Sequence, residues 1–405
     1  MIYKILAYKS QVYLLLIFMF FLYLITPLLI YIQFDADPYM LLLSKMALIS
    51  IVGVLCGFWL LPRFIHIHSC PIISMSGKKF TLIIFLIFFL FITIVIATAE
   101  NIPLLLALKN RDPDELGAAR ALFLKARTGY QSVFVYINAV LTTSFIPYAI
   151  LLSFIRGYAF KWFFLATPYF YSFIFLEKVF FLKFILPFIS YLASFKDKKY
   201  YKRYLCVSLI SIPLVIYINT VISGFGSQKI AINKPINQTA CAQYYTAKYV
   251  SCANKSHLGF IAWRIIAVPV FTAADSLKLF RLKYNNQLLL GRTSTALSFI
   301  THQQNVKFER EVFNSEWGGD STRTASANSA YFIEQYVNFG WLGLILSSIL
   351  IGFIYSVLNK SSDVALSSLA IVLSFNLALG GFIACMLSGG FLLLFTFLFF
   401  VRLEE

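Results

Sequence analysis

Runs of about twenty predominantly apolar residues recur along the whole chain, separated by short polar breaks. A hydrocarbon core about 30 Å thick needs roughly 20 apolar residues of helix to cross it. Each run is therefore predicted to be a transmembrane helix, and the chain to be an all-α polytopic membrane protein. Charged residues make up only 13% of the sequence and hydrophobic ones 60%, where a soluble domain has about 25% charged residues. Phenylalanine (43) and tyrosine (24) are unusually common, partly at run ends, where aromatic belts sit.

About ten spans are expected, near 11–32, 40–61, 80–99, 131–154, 160–176, 179–195, 204–222, 329–357, 364–380 and 383–401. The first run carries no small-residue cleavage site and is long enough to span, so no cleavable signal peptide is expected. Lysine and arginine near span ends set the orientation. Lys4 and Lys9 precede the first span, and Arg63, Lys78, Lys79, Arg156, Lys161, Lys360 and Arg402 fall in breaks on that same side. The break at 196–203, Lys-Asp-Lys-Lys-Tyr-Tyr-Lys-Arg, is the strongest of these signals. Both termini are expected in the cytoplasm. Three parts follow: an N-terminal transmembrane bundle over 1–222, an outer loop over 223–328, and C-terminal transmembrane helices over 329–405. The apolar run Leu258 to Ala274 contains Arg264 and Pro269. It reads as a helix on or dipping into the outer leaflet, because a true span there breaks the charge parity.

The net charge of +17 does not imply nucleic acid, because much of it is explained by the inside rule and no nucleic-acid motif accompanies it. The outer loop still holds twelve basic residues against five acidic ones between 224 and 328. Arginine matches phosphate with a rigid fork of donors, so this surface suits an anionic lipid-linked substrate. Attraction to anionic headgroups of the membrane lipids is the simpler use of the same charge. Cys241 and Cys252 are the two cysteines of the loop. In an oxidising compartment exposed thiols pair, and a Cys241–Cys252 disulfide is expected. His66 and His68 are a lone pair in an inner break, and no Cys/His spacing suggests zinc.

Span eight carries the sharpest signal. At 100° per residue, Asn328, Tyr331, Glu334, Gln335 and Asn338 share an arc of about 120°. Ionisable and amide groups inside a membrane usually face a bundle interior or a wet cavity. Interhelical hydrogen bonding without chemistry is the alternative. Gly340, Gly343 and Gly352 are expected to allow close helix approach.

Three stretches carry a resemblance: Trp263-Arg-Ile-Ile-Ala-Val-Pro269, a Ser/Thr-rich lead-in, and Asn328-Ser-Ala-Tyr-Phe-Ile-Glu-Gln-Tyr-Val-Asn-Phe-Gly-Trp-Leu-Gly343. Through them the C-terminal third resembles the oligosaccharide repeat-unit polymerases, the O-antigen polymerases of the Wzy type. They cover roughly 260–345; the first half agrees only in hydropathy and span number. The resemblance implies a GT-C-like helical fold in the bacterial inner membrane. It also implies a glycan on undecaprenyl diphosphate as donor and a chain-length regulator as partner; no cofactor is expected.

In such a transfer an acceptor hydroxyl attacks the anomeric carbon while lipid diphosphate leaves, and fixed cations stabilise the growing charge. Arg264, Arg281, Arg292 and Arg323 are the expected diphosphate ligands, Arg264 foremost because it stands almost alone in an apolar run. Arg310, beside Glu309 and Glu311, reads instead as a solvated surface residue tolerant of substitution. Glu334 and His302 are the candidate general bases, and Asn328, Tyr331, Tyr336 and Asn338 complete the expected substrate site. No paired-carboxylate hydrolase pattern is visible near the outer face and no metal is expected, although Asp35-Ala-Asp37 in an outer break has the DxD spelling of a metal motif. Two other functions fit the same residues: a different polyprenyl-linked glycosyltransferase or O-antigen ligase, and a flippase or transporter for lipid-linked oligosaccharides. Against the last, the sequence shows no internal repeat of the kind transporters carry.

Overall fold

Small residues decide how tightly the central helices approach. The computed structural model describes residues 11–33, 37–60, 72–109, 113–194, 243–253, 263–318, 325–327, 329–361 and 363–404. Among them the order is α1 (Gln11–Gln33), α2 (Pro38–Trp59), β1 (Ile73–Ser76), α3 (Gly77–Ala97), α4 (Pro103–Lys109) and α5 (Pro113–Arg120). Then come α6 (Gly129–Ile155), α7 (Lys161–Phe175), α8 (Lys178–Ser194), α9 (Tyr245–Ala253) and α10 (Val268–Tyr284). The chain closes with α11 (Thr295–Ile300), α12 (Phe308–Trp317), α13 (Tyr331–Lys360), α14 (Val364–Leu379), α15 (Phe382–Met386), α16 (Phe391–Phe400) and β2 (Val401–Glu404). The protein is an all-α membrane protein with one short two-stranded parallel sheet, β1 against β2. Among the described residues α1, α2, α3, α6 and α13 are long and apolar enough to cross a membrane. Shorter apolar helices cover Phe180–Leu192, Val364–Leu379 and Phe391–Phe400. The expected span at 204–222 and the basic break before it lie outside the described residues. α7 and α8 are joined by a short turn through Leu176, whose φ of 50° is left-handed.

The α2–α13 seam is the closest in the bundle. A Cβ on Gly57 would sit 1.9 Å from the Ile349 carbonyl oxygen, and one on Gly352 would sit 2.1 Å from that of Val54. Beside them Ser348 donates to Ser50 at 3.2 Å and shares a hydrogen bond with the Tyr331 hydroxyl at 3.1 Å. Without a hydrophobic drive between helices in lipid, such small-residue contact and buried hydroxyl pairing hold them together. Gly352 thus does what the sequence suggests. Gly340 does something else, described below, and Gly343 lies against Phe339 and Gln335 of its own helix.

Hydrogen bonds mark the two ends of the bundle. At one end Tyr148 donates to Asp363 at 2.5 Å, while Asp363 also caps α14 by accepting the Leu366 amide at 3.1 Å. Arg156 there donates to the carbonyls of Leu403 and Glu404, fastening β2. At the other end Arg127 donates to the Val95 carbonyl at 2.8 Å and to Thr98 Oγ1 at 2.5 Å. Its charge complements the free carbonyls at the C-terminus of α3.

The described segments of the expected outer loop, 243–253 and 263–318, pack against α2 and α13. The run expected on the membrane surface forms a wide π-type turn over Trp263–Ala267 and then α10. Ile265 and Ile266 at its start are exposed, but from Val270 to Phe280 α10 is mostly buried. Its Asp275 is buried and accepts the backbone amides of Tyr245 at 2.7 Å and Thr246 at 3.0 Å, at the N-terminus of α9. Glu316 of α12 is buried beside it and accepts from Thr246 Oγ1 at 3.0 Å. Burial raises both carboxyls above their ordinary range, and Asp275 raises Glu316 further. A folded pKa above the unfolded one means the native state binds the extra proton. Stability from this pair is then full below about pH 4, where an exposed carboxyl titrates. It is lost as pH rises toward about 8, where Glu316 titrates. The melting temperature of the full chain in detergent is expected to fall between pH 5 and pH 8, by on the order of 1–3 kcal/mol of stability. Glu316→Gln is expected to flatten that fall, and an unchanged slope in the variant would remove the pair as its cause.

Candidate functional site

A break in α13 builds the site. Gly340 has φ 66° and ψ −156°, a backbone conformation that favours glycine, so the helix is interrupted there. In a regular helix the carbonyls of Val337 and Asn338 would accept the amides of residues 341 and 342. Here they accept those of Leu289 at 3.1 Å and Leu290 at 2.9 Å, from the segment after α10. The buried Asn338 side chain completes the join. Its Oδ1 accepts the Gly291 amide at 3.0 Å, and its Nδ2 donates to Thr293 Oγ1 at 2.6 Å and to the Glu334 carbonyl at 2.9 Å. Further along, Arg292 Nε donates to the Gln304 carbonyl at 3.1 Å and Asn305 Nδ2 to the Arg292 carbonyl at 3.0 Å, closing the loop around α11.

That loop forms one wall of a cavity of about 810 Å³. Thr293, Ser294, Thr295, Asn305, Lys307, Glu309 and Arg310 line it on the loop and α12 side. Ser326, Ser329 and Glu334 line it at the start of α13, Tyr136 and Val140 on α6, and Ile383, Ala384, Leu387 and Ser388 around α15. The volume lies within the range of ligand-binding clefts, about 300–1,000 Å³.

Two carboxylates converge on it. Glu334 Oε2 accepts from Gln335 Nε2 at 3.2 Å and from the Ile383 amide at 3.4 Å. Gly381 presses on the same carboxylate, and a Cβ there would come within 2.6 Å of Oε2. Glu309 opens to the cavity but is otherwise walled in by protein. Burial pushes its carboxyl up to about 7, and Glu334 acts on it in the same direction. The Ala327 amide donates to the Glu309 carbonyl at 2.9 Å, tying the lead-in of α13 to α12. Lys307 is exposed and Arg310 half-buried on the same wall. The cavity can therefore hold a polar ligand between two acids and two cations, with hydroxyls and an amide around it.

The residues singled out in the sequence divide. Glu334 lines the cavity and Asn338 positions its wall. Tyr331 is fully buried in the α2–α13 seam, and Tyr336 packs edge-on against Phe280 at 6.2 Å and Trp341 at 5.1 Å. His302 is exposed with φ 51° and does not line the cavity. Arg264 sits on the exposed side of the π-type turn, although neighbouring side chains still bury it enough to hold its guanidinium below its ordinary value. Arg281 is exposed in the last turn of α10, and Arg292 serves its own loop. None of these three arginines lines the cavity. Arg323, Asn328 and Cys241 lie outside the described residues. Cys252 falls within α9, and its expected pairing with Cys241 therefore has no structural description. Asp37 caps α2 by accepting the Tyr39 amide at 2.9 Å and accepts the Tyr245 hydroxyl, while Asp35 is outside the described residues. No group of three or more His, Cys, Asp or Glu that could hold a metal occurs among the described residues.

One expectation is corrected: Arg310 is not a solvated surface residue but part of the cavity wall. The fold also brings together a pair of carboxylates, Glu309 and Glu334, that are far apart in the sequence. Helical spacing carried a faint signal of this. Glu309, Val312 and Glu316 repeat at three, four and seven residues, the spacing of one helix face, and Val312 and Glu316 are buried.

An activity that needs the Glu309 carboxylate is expected to rise with an apparent pKa of about 7. Glu334 helps to raise that value, so removing its negative charge lowers it. In Glu334→Gln the Glu309 titration is expected to move to lower pH, read from its carboxyl infrared band against pH; an unmoved titration would separate the two groups. No family model, curated protein or solved structure matches this chain.

Proposed function

We propose that the protein polymerises lipid-linked oligosaccharide repeat units, with the cavity as the place of glycosyl transfer. The observation that carries this is the convergence of Glu334 and Glu309 with Lys307 and Arg310 on one cavity of about 810 Å³ in a membrane-embedded helical protein. The acceptor hydroxyl of one repeat unit attacks the anomeric carbon of the growing glycan. The bond from that carbon to the diphosphate oxygen breaks, and undecaprenyl diphosphate leaves with the electron pair. The Glu309–Glu334 pair takes up the hydroxyl proton, and cations on the wall offset charge as it develops. Hydroxyl and amide groups of Ser326, Ser329, Thr293 and Asn305 suit sugar hydroxyls. The wider assignment carries a GT-C-like fold, the bacterial inner membrane with both termini cytoplasmic, and a chain-length regulator as partner.

A transporter of the same substrates is the second reading, favoured by the interruption of α13 at Gly340, since transporters bind cargo at broken helices. Against it, the carbonyls freed by the break are already taken by Leu289 and Leu290. Deleting the gene separates the two. Loss of a polymerase leaves lipid capped with a single repeat unit, restored to a ladder by the intact protein. Loss of a flippase leaves no exported repeat at all, and that outcome would overturn the proposal.

A further inference from the structure

The short helix α11 presents its apolar side chains outward. Its Ser298 is buried, donates to the Ser294 carbonyl at 2.9 Å and accepts from Asn305 Nδ2 at 3.2 Å. The two large side chains after it, Phe299 and Ile300, are 80% and 69% exposed. A helix on an aqueous surface turns its apolar side inward, and this end of α11 does the reverse. Leu288 and Leu290, earlier in the same loop, are exposed as well. From Gln287 to Val306 the chain carries Arg292 and no carboxylate, so no charge in it repels an anionic headgroup.

Two separate depth markers place this loop at a membrane boundary. On α13 the Leu289 and Leu290 amides bond Val337 and Asn338, and the Leu288 side chain lies 3.6 Å from where a Gly340 Cβ would stand. The exposed apolar face of α13 begins just past that point, with Trp341, Leu342, Ile345, Leu346 and Leu350. Trp341–Lys360 is about 30 Å of helix, the thickness of the hydrocarbon core, with a tryptophan at the end where interfacial aromatics sit. The second marker is on α6, which runs from the Arg127 end of the bundle to the Arg156 end. Its Phe134 packs edge-on against Phe91 of α3 at 6.0 Å. Phe91 lies about 9 Å inside the Ala97 end of α3, and Tyr136 and Val140 follow deeper along α6. Phe299 lines the cavity together with both.

We propose that Leu288–Ile300 is a membrane-interface element, with Phe299 and Ile300 seated among the phospholipid acyl chains of the leaflet nearest the cavity. Thr295 and Ala296 of the same helix line the cavity, so lipid against its outer side holds that wall in place. The inference needs only a chain that spans a bilayer, and it stands or falls apart from the transferase reading.

Photo-crosslinking of the full chain in nanodiscs of phosphatidylcholine and phosphatidylglycerol tests this, with p-benzoylphenylalanine placed in turn at Phe299, Ile300, Leu346 and Asn314. Leu346 is the lipid-facing standard on α13, and Asn314 is a polar position on α12. All four side chains are exposed, so the replacements leave the core untouched. An interfacial apolar face lies about 5–10 Å into the acyl boundary, so phospholipid adducts at Phe299 and Ile300 are expected to match those at Leu346 and exceed those at Asn314 by about tenfold. Mass spectrometry of the labelled peptides reads them. Adducts at Leu346 with only the Asn314 level at Phe299 and Ile300 would overturn the inference, as would a cross-link from either position to a second copy of the chain. Absence of adducts at Leu346 too would overturn it together with the membrane span of α13.

Discussion

Glu334→Gln is expected to lower chain extension by a factor of about 10² to 10⁴, the range for losing a positioned acid–base group. Its carboxylate is held by the Gln335 amide and the Ile383 backbone N–H, and backed by Gly381. Glutamine keeps the size and can keep one acceptor, so folding is expected to survive while proton uptake is lost. The glycan ladder on a gel, with protein level checked in parallel, reads the effect. Gly381→Ala is expected to act in the same direction by pushing the carboxylate aside while leaving its chemistry intact. A normal ladder from Glu334→Gln would remove it from the reaction and leave it as a helix-packing group.

The second large effect is structural. Gly352→Leu is expected to abolish accumulation of folded protein, because even the first added carbon would lie 2.1 Å from the Val54 carbonyl oxygen and 2.8 Å from the Phe58 nitrogen. Those are backbone atoms and cannot swing away. Overpacking by single methylenes costs about 1–3 kcal/mol, and a whole side chain at a seam this close forces α2 and α13 apart. Gly352→Ala already requires a shift and is expected to be milder. Detergent-soluble, monodisperse yield measures it. Wild-type yield from Gly352→Leu would show that the two helices are not held at this distance.

The helices were legible because their signal is local. Twenty apolar residues announce a span wherever they fall, and the polar arc of α13 announced Glu334 and Asn338 through helical periodicity alone. What escaped was non-local. Gly340 reads as one more small residue in an apolar helix, since nothing in the neighbouring sequence says that Leu289 and Leu290 will take the released carbonyls. Arg310 sits between two glutamates, which mimics a solvated helix surface; only the packing of 292–318 turns that face toward the cavity shared with α6 and α15. Arg264 stands out in the sequence by its apolar surroundings, but it lies on the exposed side of the π-type turn before α10.

The central claim is that a new glycosidic bond forms in the cavity beside Glu334. Its most direct measurement is the product formed by the purified full chain in a bilayer supplied with a lipid-linked repeat unit, analysed by mass spectrometry. The expected products are glycans of two or more repeats on one lipid, matched by released undecaprenyl diphosphate, with both missing in Glu334→Gln. Single repeats left unjoined by the wild type, or moved across the bilayer without any new bond, would contradict it.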